Sequence, residues 1–400
     1  MTQPRSGPRP LGLHLATSAA VWMSSLAALP SARSGLLPWN AAQKSAAGAI
    51  QTALAAADPE ALSAAVAHEA NERLARFLAG IRAYRNHPYR RPRRDLAVLW
   101  QEGATRVIDY GGPGRPVLFS PSLINRSYIL DLRPGASLMH HLREQGLRPL
   151  LIDWGDPGAD ERDFGLEAYI TRRLAGALTA ANALAGGPVP LVGYCMGGLL
   201  ALAAALLYPK QVSGLALLAT PWDFHADQGG QGAFMAMGAS AATAVRRGSP
   251  PLPIDLLQAM FATLQPNLVQ AKFRRFASMD PDAEATHAFV ALEDWLNDGV
   301  ALAAPTGRDC FQGWYGENLP GKGLWSIAGQ VMRPENLTVP SFVAVPTRDR
   351  IVPPASANAL ARALPAPILL EPRAGHIGMV VGSRAREALW EPLTDWLTGV

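Results

Sequence analysis

The sequence predicts an α/β fold: a mostly parallel, doubly wound sheet with a helical lid insert and an N-terminal helical extension. Continuous apolar runs bounded by glycine or proline are typical of strands that are buried on both faces of a parallel sheet. Helical segments alternate with these runs, as they do in successive βαβ units. The predicted strands cover 115–120, 147–154, 188–192, 215–220, 340–349 and 366–371, and the predicted helices cover 137–145, 166–184, 196–207, 355–364 and 385–397.

A cysteine, Cys195, lies in a sharp turn between one predicted strand and the helix that follows it. The run 192–198 reads Val-Gly-Tyr-Cys-Met-Gly-Gly and therefore contains G-x-C-x-G. A strand, turn and helix with this pattern form the nucleophile elbow of α/β-hydrolases, where serine is the usual nucleophile. The crowded turn requires small neighbours, and the N-terminus of the helix favours a thiolate. The alternative interpretation is a buried structural cysteine that happens to lie between glycines.

The other members of a triad are sought by chain order, because this fold places the nucleophile first, the acid second and the histidine last. Asp349 ends a predicted strand, and His376 follows the next one, so both are expected at the same edge of the sheet. Asp223, which follows the strand at 215–220, is the alternative acid. Chain order favours Asp349 and leaves Asp223 open.

Two regions outside the sheet divide the chain into three parts. These are an N-terminal helical region with an arginine-rich linker (1–95), a catalytic core (96–224 and 338–400) and an insert (225–337). The insert leaves the core at the carboxyl ends of the strands, where it is expected to act as a lid; the alternative is an inert helical addition. It includes a glycine-rich connector at 228–232 and Cys310, which lacks elbow glycines and is interpreted as a packed thiol.

The N-terminal region combines helical patterns with a basic cluster. Residues 41–82 are predicted to be helical, with a break at Asp58-Pro59. The apolar stretch 11–30 is diluted by polar residues, which disfavours a signal peptide or a membrane-spanning helix. The basic cluster is interpreted either as a contact for coenzyme A phosphates, an acidic partner or a membrane-like surface, or as a solvated linker. Its members are Arg82, Arg85, Arg90, Arg91, Arg93 and Arg94.

Bulk properties narrow the function classes. A chain of 400 residues with 49% hydrophobic content can bury a large core, and its net charge of +4 is mild. Two cysteines, one of them needed as a thiol, indicate a reducing compartment such as the cytoplasm. Neither metal-ligand spacing nor a nucleotide-binding glycine motif is found, so no cofactor is expected. No nucleic-acid-binding motif is found, so nucleic-acid binding has no support.

Several motifs resemble those of poly(3-hydroxyalkanoate) synthases in order and spacing. The run 121–132 resembles the family's Ile-Asn-Lys and Tyr-Ile-Leu-Asp-Leu stretch, and the elbow resembles its G-x-C-x-G-G box. The resemblance implies that Asp349, and not Asp223, is the acid. The chain departs from the family at Arg350, where histidine is usual, and at 381–383, where Asn-Pro-Pro is common. Further similar motifs lie at 152–157, 220–224, 314–318, 348–353 and 375–377.

The resemblance implies an acyltransferase that polymerises (R)-3-hydroxyacyl-CoA through a covalent acyl-cysteine and releases coenzyme A. Cys195 is then the nucleophile, His376 the base and Asp349 the residue that orients the imidazole. The backbone N–H groups of Met196 and Ile124 are the predicted oxyanion-hole donors.

Two other function classes stay open. One is a cysteine α/β-hydrolase, such as a thioesterase or a dienelactone-hydrolase-like esterase, which the long insert disfavours. The other is a non-catalytic, granule-associated relative, which the set Cys195, Asp349 and His376 disfavours. Expected partners are a hydroxyacyl-CoA substrate, a polymer granule surface, and a second copy of the chain or a partner subunit. The expected location is the cytoplasm, with granule association.

Overall fold

The computed structural model describes residues 5–39, 43–92, 94–226, 232–245 and 248–400. The chain divides into two compact units, of which the first comprises Met1–Tyr89 with Gln265–Glu293 and the second Arg90–Leu264 with Asp294–Val400. Arg93 of the basic cluster and residues 228–231 of the predicted connector lie outside the described residues.

The second unit contains an eight-stranded sheet. In chain order its strands are β1 (Ala97–Glu102), β2 (Thr105–Asp109), β3 (Pro116–Ser120), β4 (Arg148–Asp153), β5 (Val189–Tyr194), β6 (Val212–Leu218), β7 (Ser341–Ala344) and β8 (Ile368–Leu370). Their order across the sheet is β1-β2-β4-β3-β5-β6-β7-β8. β1 and β2 form an antiparallel hairpin, and β2 is also antiparallel to β4. All other neighbouring strands pair in parallel, which confirms the predicted α/β fold.

The centre of the sheet is fully buried, as its apolar sequence requires. Every residue of β3, β5 and β7 is buried, because helices cover both faces of the sheet there. The edge strands differ: β1 is half-buried or exposed throughout, and Ile368 of β8 is 55% exposed. The β1–β2 hairpin was not among the predicted strands.

The helices of the second unit follow the predicted alternation with the strands. The predicted helix at 166–184 contains a wider π-helical segment in its middle, and the last helix begins with another. The helical segments of the core are Leu138–Glu144, Leu166–Ala168, Tyr169–Leu174 (π), Ala175–Ala185, Met196–Leu207, Pro354–Ala363, Gly378–Val381, Arg386–Trp390 (π) and Glu391–Gly399, with a short 3₁₀ turn at Ser127–Leu130. A second 3₁₀ turn, Pro334–Asn336, lies at the end of the insert. Two small hairpins pair Asp131–Arg133 with Ala136–Ser137 and Ser326–Ile327 with Gln330–Val331.

Most of the predicted insert belongs to the second unit and packs into the same hydrophobic core as the sheet. Phe224, which follows β6, stacks on Trp314 with ring centroids 5.7 Å apart, and Trp314 contacts Trp325 edge to face. This aromatic cluster fixes the insert beside the strand that leads to Asp223. The helical segments of the insert are Gly232–Ala244, Ile254–Leu264, Leu268–Phe276, Glu284–Asn297, Ala304–Arg308 and Asp309–Gly316 (π).

The first unit is helical, with segments at Leu11–Ala27, Leu29–Arg33, Lys44–Ala56 and Pro59–Asn86. The predicted break is confirmed, since Asp58 caps the last of these helices by accepting a hydrogen bond from the Ala61 N–H at 2.8 Å. Residues 265–293 of the predicted insert cluster with these helices, so the three-part division of the chain stays a prediction. Their shared core comprises Trp22, Phe77, Ile81, Tyr84, Phe273, Phe276 and Val290. No described helix has both the length and the hydropathy of a membrane-spanning segment.

Candidate active site

The elbow has the backbone geometry that the sequence predicts. β5 ends at Tyr194, and the helix Met196–Leu207 begins directly after Cys195. Cys195 has φ +56° and ψ −128°, a conformation that side-chain-bearing residues rarely adopt. Strain of this kind persists only where the surroundings impose it, and it is common at functional sites. The turn projects the half-buried sulfur beyond the carboxyl end of the sheet.

The glycines around the elbow are required by close backbone contacts. A Cβ atom on Gly193 would overlap the backbone of Gly198, and one on Gly197 would overlap the carbonyl oxygen of Ser120. A Cβ atom on Gly198 would overlap the side chain of Thr220. The G-x-C-x-G-G pattern is therefore a consequence of packing between β5, its helix and the two neighbouring strands.

Asp349 and His376 come together although they follow different strands. Both are buried, and His376 Nδ1 donates to Asp349 Oδ2 at 2.7 Å. The other carboxylate oxygen, Oδ1, accepts from the N–H groups of Ile351 at 2.8 Å and Val352 at 2.9 Å. The carboxylate is thus held by backbone on one side and orients the imidazole on the other.

The imidazole of His376 also contacts the cysteine. Since Nδ1 faces Asp349, Nε2 is the nitrogen available for the hydrogen bond to the Cys195 side chain. Burial alone would lower the pKa of His376, but the charges of Asp349 and Cys195 outweigh it and raise this pKa to about 10. The structure therefore brings Cys195, His376 and Asp349 together in the order sulfur, imidazole, carboxylate.

The alternative acid, Asp223, makes different contacts. Its Oδ1 accepts from Asn318 Nδ2 at 2.8 Å and from the His225 N–H at 2.9 Å. The Asn318 side chain also accepts from the Phe224 N–H at 2.9 Å, so one buried asparagine binds two consecutive residues after β6. Asp223 thus connects the insert to the core. The asparagine that makes this connection is the last residue of the motif at 314–318, which resembles that of the synthases.

The two predicted oxyanion-hole donors differ in their present contacts. Met196 is the first residue of its helix, where a backbone N–H has no acceptor within the helix. The Ile124 N–H instead donates to Ser122 Oγ at 3.2 Å. The Ile124 carbonyl accepts from the Val300 N–H of the insert at 3.1 Å. The loop that carries Ile124 is therefore attached to the insert.

The residues after Ile124 strengthen this attachment. Trp295 Nε1 donates to the Arg126 carbonyl at 2.8 Å, and Tyr128 donates to Asp298 at 3.1 Å. The Arg126 side chain lies between Asp156 at 2.8 Å and Asp298 at 3.5 Å. The Ile-Asn-Arg-Ser-Tyr segment thus links the predicted oxyanion loop to the insert by several polar contacts.

Three further features lie outside the contacts described so far, namely Cys310, the basic cluster and Tyr194. Burial raises the pKa of the Cys310 thiol well above its usual range, as expected for a packed thiol. Arg91 of the basic cluster binds Asp131 at 3.0 Å. Sequence reasoning assigned no role to Tyr194, whose hydroxyl donates to the His376 carbonyl at 3.2 Å. Its place beside Cys195 was the only available signal.

Comparisons with known proteins agree with this geometry. The family profile described as alpha/beta hydrolase fold matches residues 115–383. A poly(3-hydroxyalkanoate) polymerase subunit PhaC of Synechocystis sp. is 30% identical over 299 residues, which are 71% of this chain and 77% of that protein. The chain belongs to the poly(3-hydroxyalkanoate) polymerase family of α/β-hydrolases. The resemblance read from the motifs is thereby confirmed.

Other polymerases of this family are longer than the shared region. The subunit PhaC of Haloferax mediterranei is 29% identical over 309 residues, covering 75% of this chain and 63% of that protein. The subunit PhaC of Cupriavidus necator is 28% identical over 308 residues, which cover 71% of this chain and 51% of that protein. The chain thus spans between half and two thirds of these two relatives.

Solved structures show the fold alone. A monoacylglycerol lipase from Paleococcus ferrophilus has a TM-score of 0.50 at 18% identity, over 74% of this chain and 98% of that one. The Rv0554 protein of Mycobacterium tuberculosis also has a TM-score of 0.50 at 18% identity, over 74% and 94% of the two chains. The departures from the polymerase family lie near the site: Arg350 is exposed beside Asp349, and 381–383 are the last residue of the short helix after His376 and the two residues that follow it.

Proposed function

We propose that the chain polymerises (R)-3-hydroxyacyl-CoA through a covalent acyl-Cys195 and releases coenzyme A. The observation that carries the proposal is the contact chain from the Cys195 sulfur through His376 to Asp349, at an elbow where sulfur replaces the usual oxygen. The names of the relatives support the polymerase class, because those proteins are poly(3-hydroxyalkanoate) polymerase subunits.

In the first half-reaction, the Cys195 thiol gives its proton to Nε2 of His376, and the sulfur attacks the thioester carbonyl. The bond between the acyl carbon and the coenzyme A sulfur then breaks, and that sulfur takes the proton from Nε2 as free coenzyme A leaves. Exchange of one thioester for another is nearly balanced in energy, and a thiolate is a strong nucleophile. Asp349 stabilises the transient imidazolium.

In the second half-reaction, the 3-hydroxyl of an incoming hydroxyacyl-CoA gives its proton to Nε2 and attacks the acyl-Cys195 carbonyl. An ester bond forms, the bond to the Cys195 sulfur breaks, and the sulfur recovers the proton. The product is a coenzyme A thioester that is one unit longer, and it returns to Cys195 by the first half-reaction.

The negative oxygen formed in both halves needs backbone donors. The Met196 N–H lies at the positive end of the elbow helix, which suits this role. The Ile124 N–H serves only after it leaves Ser122 Oγ, so we propose that substrate binding moves this loop. Because Val300 holds the Ile124 carbonyl, the insert would move with it or restrain it.

Exclusion of water distinguishes a polymerase from a thioesterase, because water and the substrate hydroxyl compete for the same acyl-cysteine. The insert is attached to the core on two sides of the site, at Asp223 through Asn318 and at the loop of Ile124 through Val300. These attachments support a lid role for the insert. The same family membership supports a hydroxyacyl-CoA substrate and a polymer product.

The test is to incubate the purified protein with 3-hydroxybutyryl-CoA and to compare released thiol with polymer and with free acid. Thiol release matched by polymer is expected. Thiol matched by free 3-hydroxybutyrate would identify a thioesterase, and no thiol release would identify a non-catalytic relative. Cys195→Ala is the control for spontaneous hydrolysis.

Association with a second copy or a partner subunit stays a prediction, which light scattering of the purified chain addresses.

A further inference from the structure

Tyr194 lies between the proposed nucleophile and the proposed base. It is the last residue of β5 and directly precedes Cys195, and only 3% of its surface is exposed. Its hydroxyl donates to the main-chain carbonyl of His376 at 3.2 Å, across 182 residues of sequence. Its ring also lies against the His376 ring, with centroids 5.2 Å apart and an angle of 32° between the planes. One side chain thus contacts both the backbone and the ring of this histidine.

His376 needs such contacts because it does not lie in a strand. It follows a loop held by single hydrogen bonds, such as the one from the Arg348 N–H to the Ala374 carbonyl at 3.0 Å. Asp349 and Cys195 restrain the two nitrogens of the imidazole, but the ring can still rotate about the line that joins these contacts. A flat partner on one face and a donor on the carbonyl remove that freedom.

Tyr194 is suited to this task by its attachment to the sheet. β5 is buried along its whole length and pairs with β3 on one side and β6 on the other, so its end is rigid. Burial, together with the nearby charges of Cys195 and Asp349, raises the pKa of Tyr194 well above its usual range. The hydroxyl therefore remains protonated, and a hydrogen-bond donor, at neutral and moderately alkaline pH.

We propose that Tyr194 is a positioning residue, which fixes the distance between the Cys195 sulfur and Nε2 of His376 by joining the backbone of the nucleophile to that of the base. The role rests on the proposed function, in which this sulfur and this nitrogen exchange a proton. Loss of the hydroxyl lets His376 move away from both Asp349 and the sulfur, while the ring continues to fill its space.

Tyr194→Phe is the direct test, and Tyr110→Phe is its matched control. Tyr110 is also 3% exposed, and its hydroxyl donates to Asp131 at 3.1 Å, so the control removes an equally buried hydroxyl from a structural contact. Two quantities are measured for each variant. The first is kcat and KM with 3-hydroxybutyryl-CoA, and the second is the ratio of Cys195 alkylation rates by iodoacetate and by iodoacetamide as a function of pH.

The alkylation ratio reports the charge of His376 without any substrate, because an imidazolium attracts the anionic reagent and a neutral ring does not. For Tyr194→Phe we expect kcat to fall about five- to tenfold with KM unchanged. The pH at which the ratio drops should move down by about 0.5 to 1 unit, since His376 is held less closely to Asp349. Tyr110→Phe should change neither quantity, whatever its effect on stability.

Each outcome decides the proposal. An unchanged ratio and unchanged kcat in Tyr194→Phe would overturn it, and so would a loss of thermal stability with an unchanged ratio, which would leave a packing residue only. If the ratio shifts in Tyr194→Phe but the wild-type protein releases no thiol from the thioester, the positioning role stands and the proposed function fails.

Discussion

Replacing Asp349 by asparagine removes the proposed acid with little change in volume, and the structure shows how the amide would lie. Oδ1 accepts from the N–H groups of Ile351 and Val352 at 2.8 and 2.9 Å, so the amide oxygen remains there. The amide NH₂ then takes the place of Oδ2, which lies 2.7 Å from His376 Nδ1. A donor at this place makes Nδ1 an acceptor, and the ring proton moves to Nε2, facing Cys195. The imidazole stays in position but cannot accept the thiol proton.

The size of the effect follows from the pKa of His376. Asp349 is the strongest of the groups that raise this pKa from 6.5 to about 10, against the lowering effect of burial. A shift of this size corresponds to roughly 5 kcal/mol of preference for the imidazolium, part of which comes from Cys195. Without the carboxylate, burial is opposed only by Cys195, so the pKa of His376 falls. We therefore expect Asp349→Asn to lower kcat by about 10³-fold.

The assay combines turnover of 3-hydroxybutyryl-CoA with the ratio of Cys195 alkylation by iodoacetate and by iodoacetamide. In Asp349→Asn, Cys195 should still be alkylated, and the drop in the ratio should move from near pH 10 to a lower pH. Asp223→Asn is the comparison, because that carboxylate binds Asn318 and not the histidine. The reasoning is refuted if Asp223→Asn, in a folded protein, costs more activity than Asp349→Asn.

Three further predictions concern the elbow and the histidine. Cys195→Ala should abolish turnover with an unchanged circular dichroism spectrum, and Cys195→Ser should retain at most a trace, because an alkoxide is much harder to generate than a thiolate; wild-type-like activity in Cys195→Ala would contradict the assignment. Gly197→Ala should lower the free energy of unfolding by at least about 1–3 kcal/mol, because the added Cβ would overlap the Ser120 carbonyl oxygen. Urea denaturation measures this loss. Gly187→Ala, where a Cβ meets no atom within 4 Å, is the control, and equal losses would contradict the packing argument. The raised folded-state pKa of His376 contributes stability that is complete below pH 6.5 and is lost as the pH rises through about 10. The urea midpoint of the wild-type protein should therefore fall between these two pH values. The fall should be much smaller in Asp349→Asn.

The centre of the fold and the core of the site could be predicted because local physics determines them. β5 is buried on both faces, so its sequence is an uninterrupted apolar run. The packing around Cys195 excludes a Cβ atom two residues before it and two residues after it, so Gly193 and Gly197 mark the turn in the sequence. The order of the acid and the base along the chain follows from strand order, and this order favours Asp349 over Asp223.

The remaining features depend on neighbours that are distant in sequence. The β1–β2 hairpin lies at the edge of the sheet, where mixed polar and apolar residues give no buried run. The contact of Asn318 with Asp223 spans 95 residues, and that of Tyr194 with His376 spans 182. No local pattern encodes such pairs. The clustering of 265–293 with the N-terminal helices likewise depends on aromatic packing that chain order does not reveal.

The central claim is that an acyl group on Cys195 transfers to a hydroxyl faster than to water. Mass spectrometry of the peptide that contains Cys195, after brief exposure of the protein to 3-hydroxybutyryl-CoA, tests this claim most directly. The proposed mechanism predicts a ladder of masses that differ by one hydroxybutyryl unit and are absent from the peptide that contains Cys310. A single adduct on Cys195 that decays to monomeric 3-hydroxybutyrate would contradict it and identify a thioesterase.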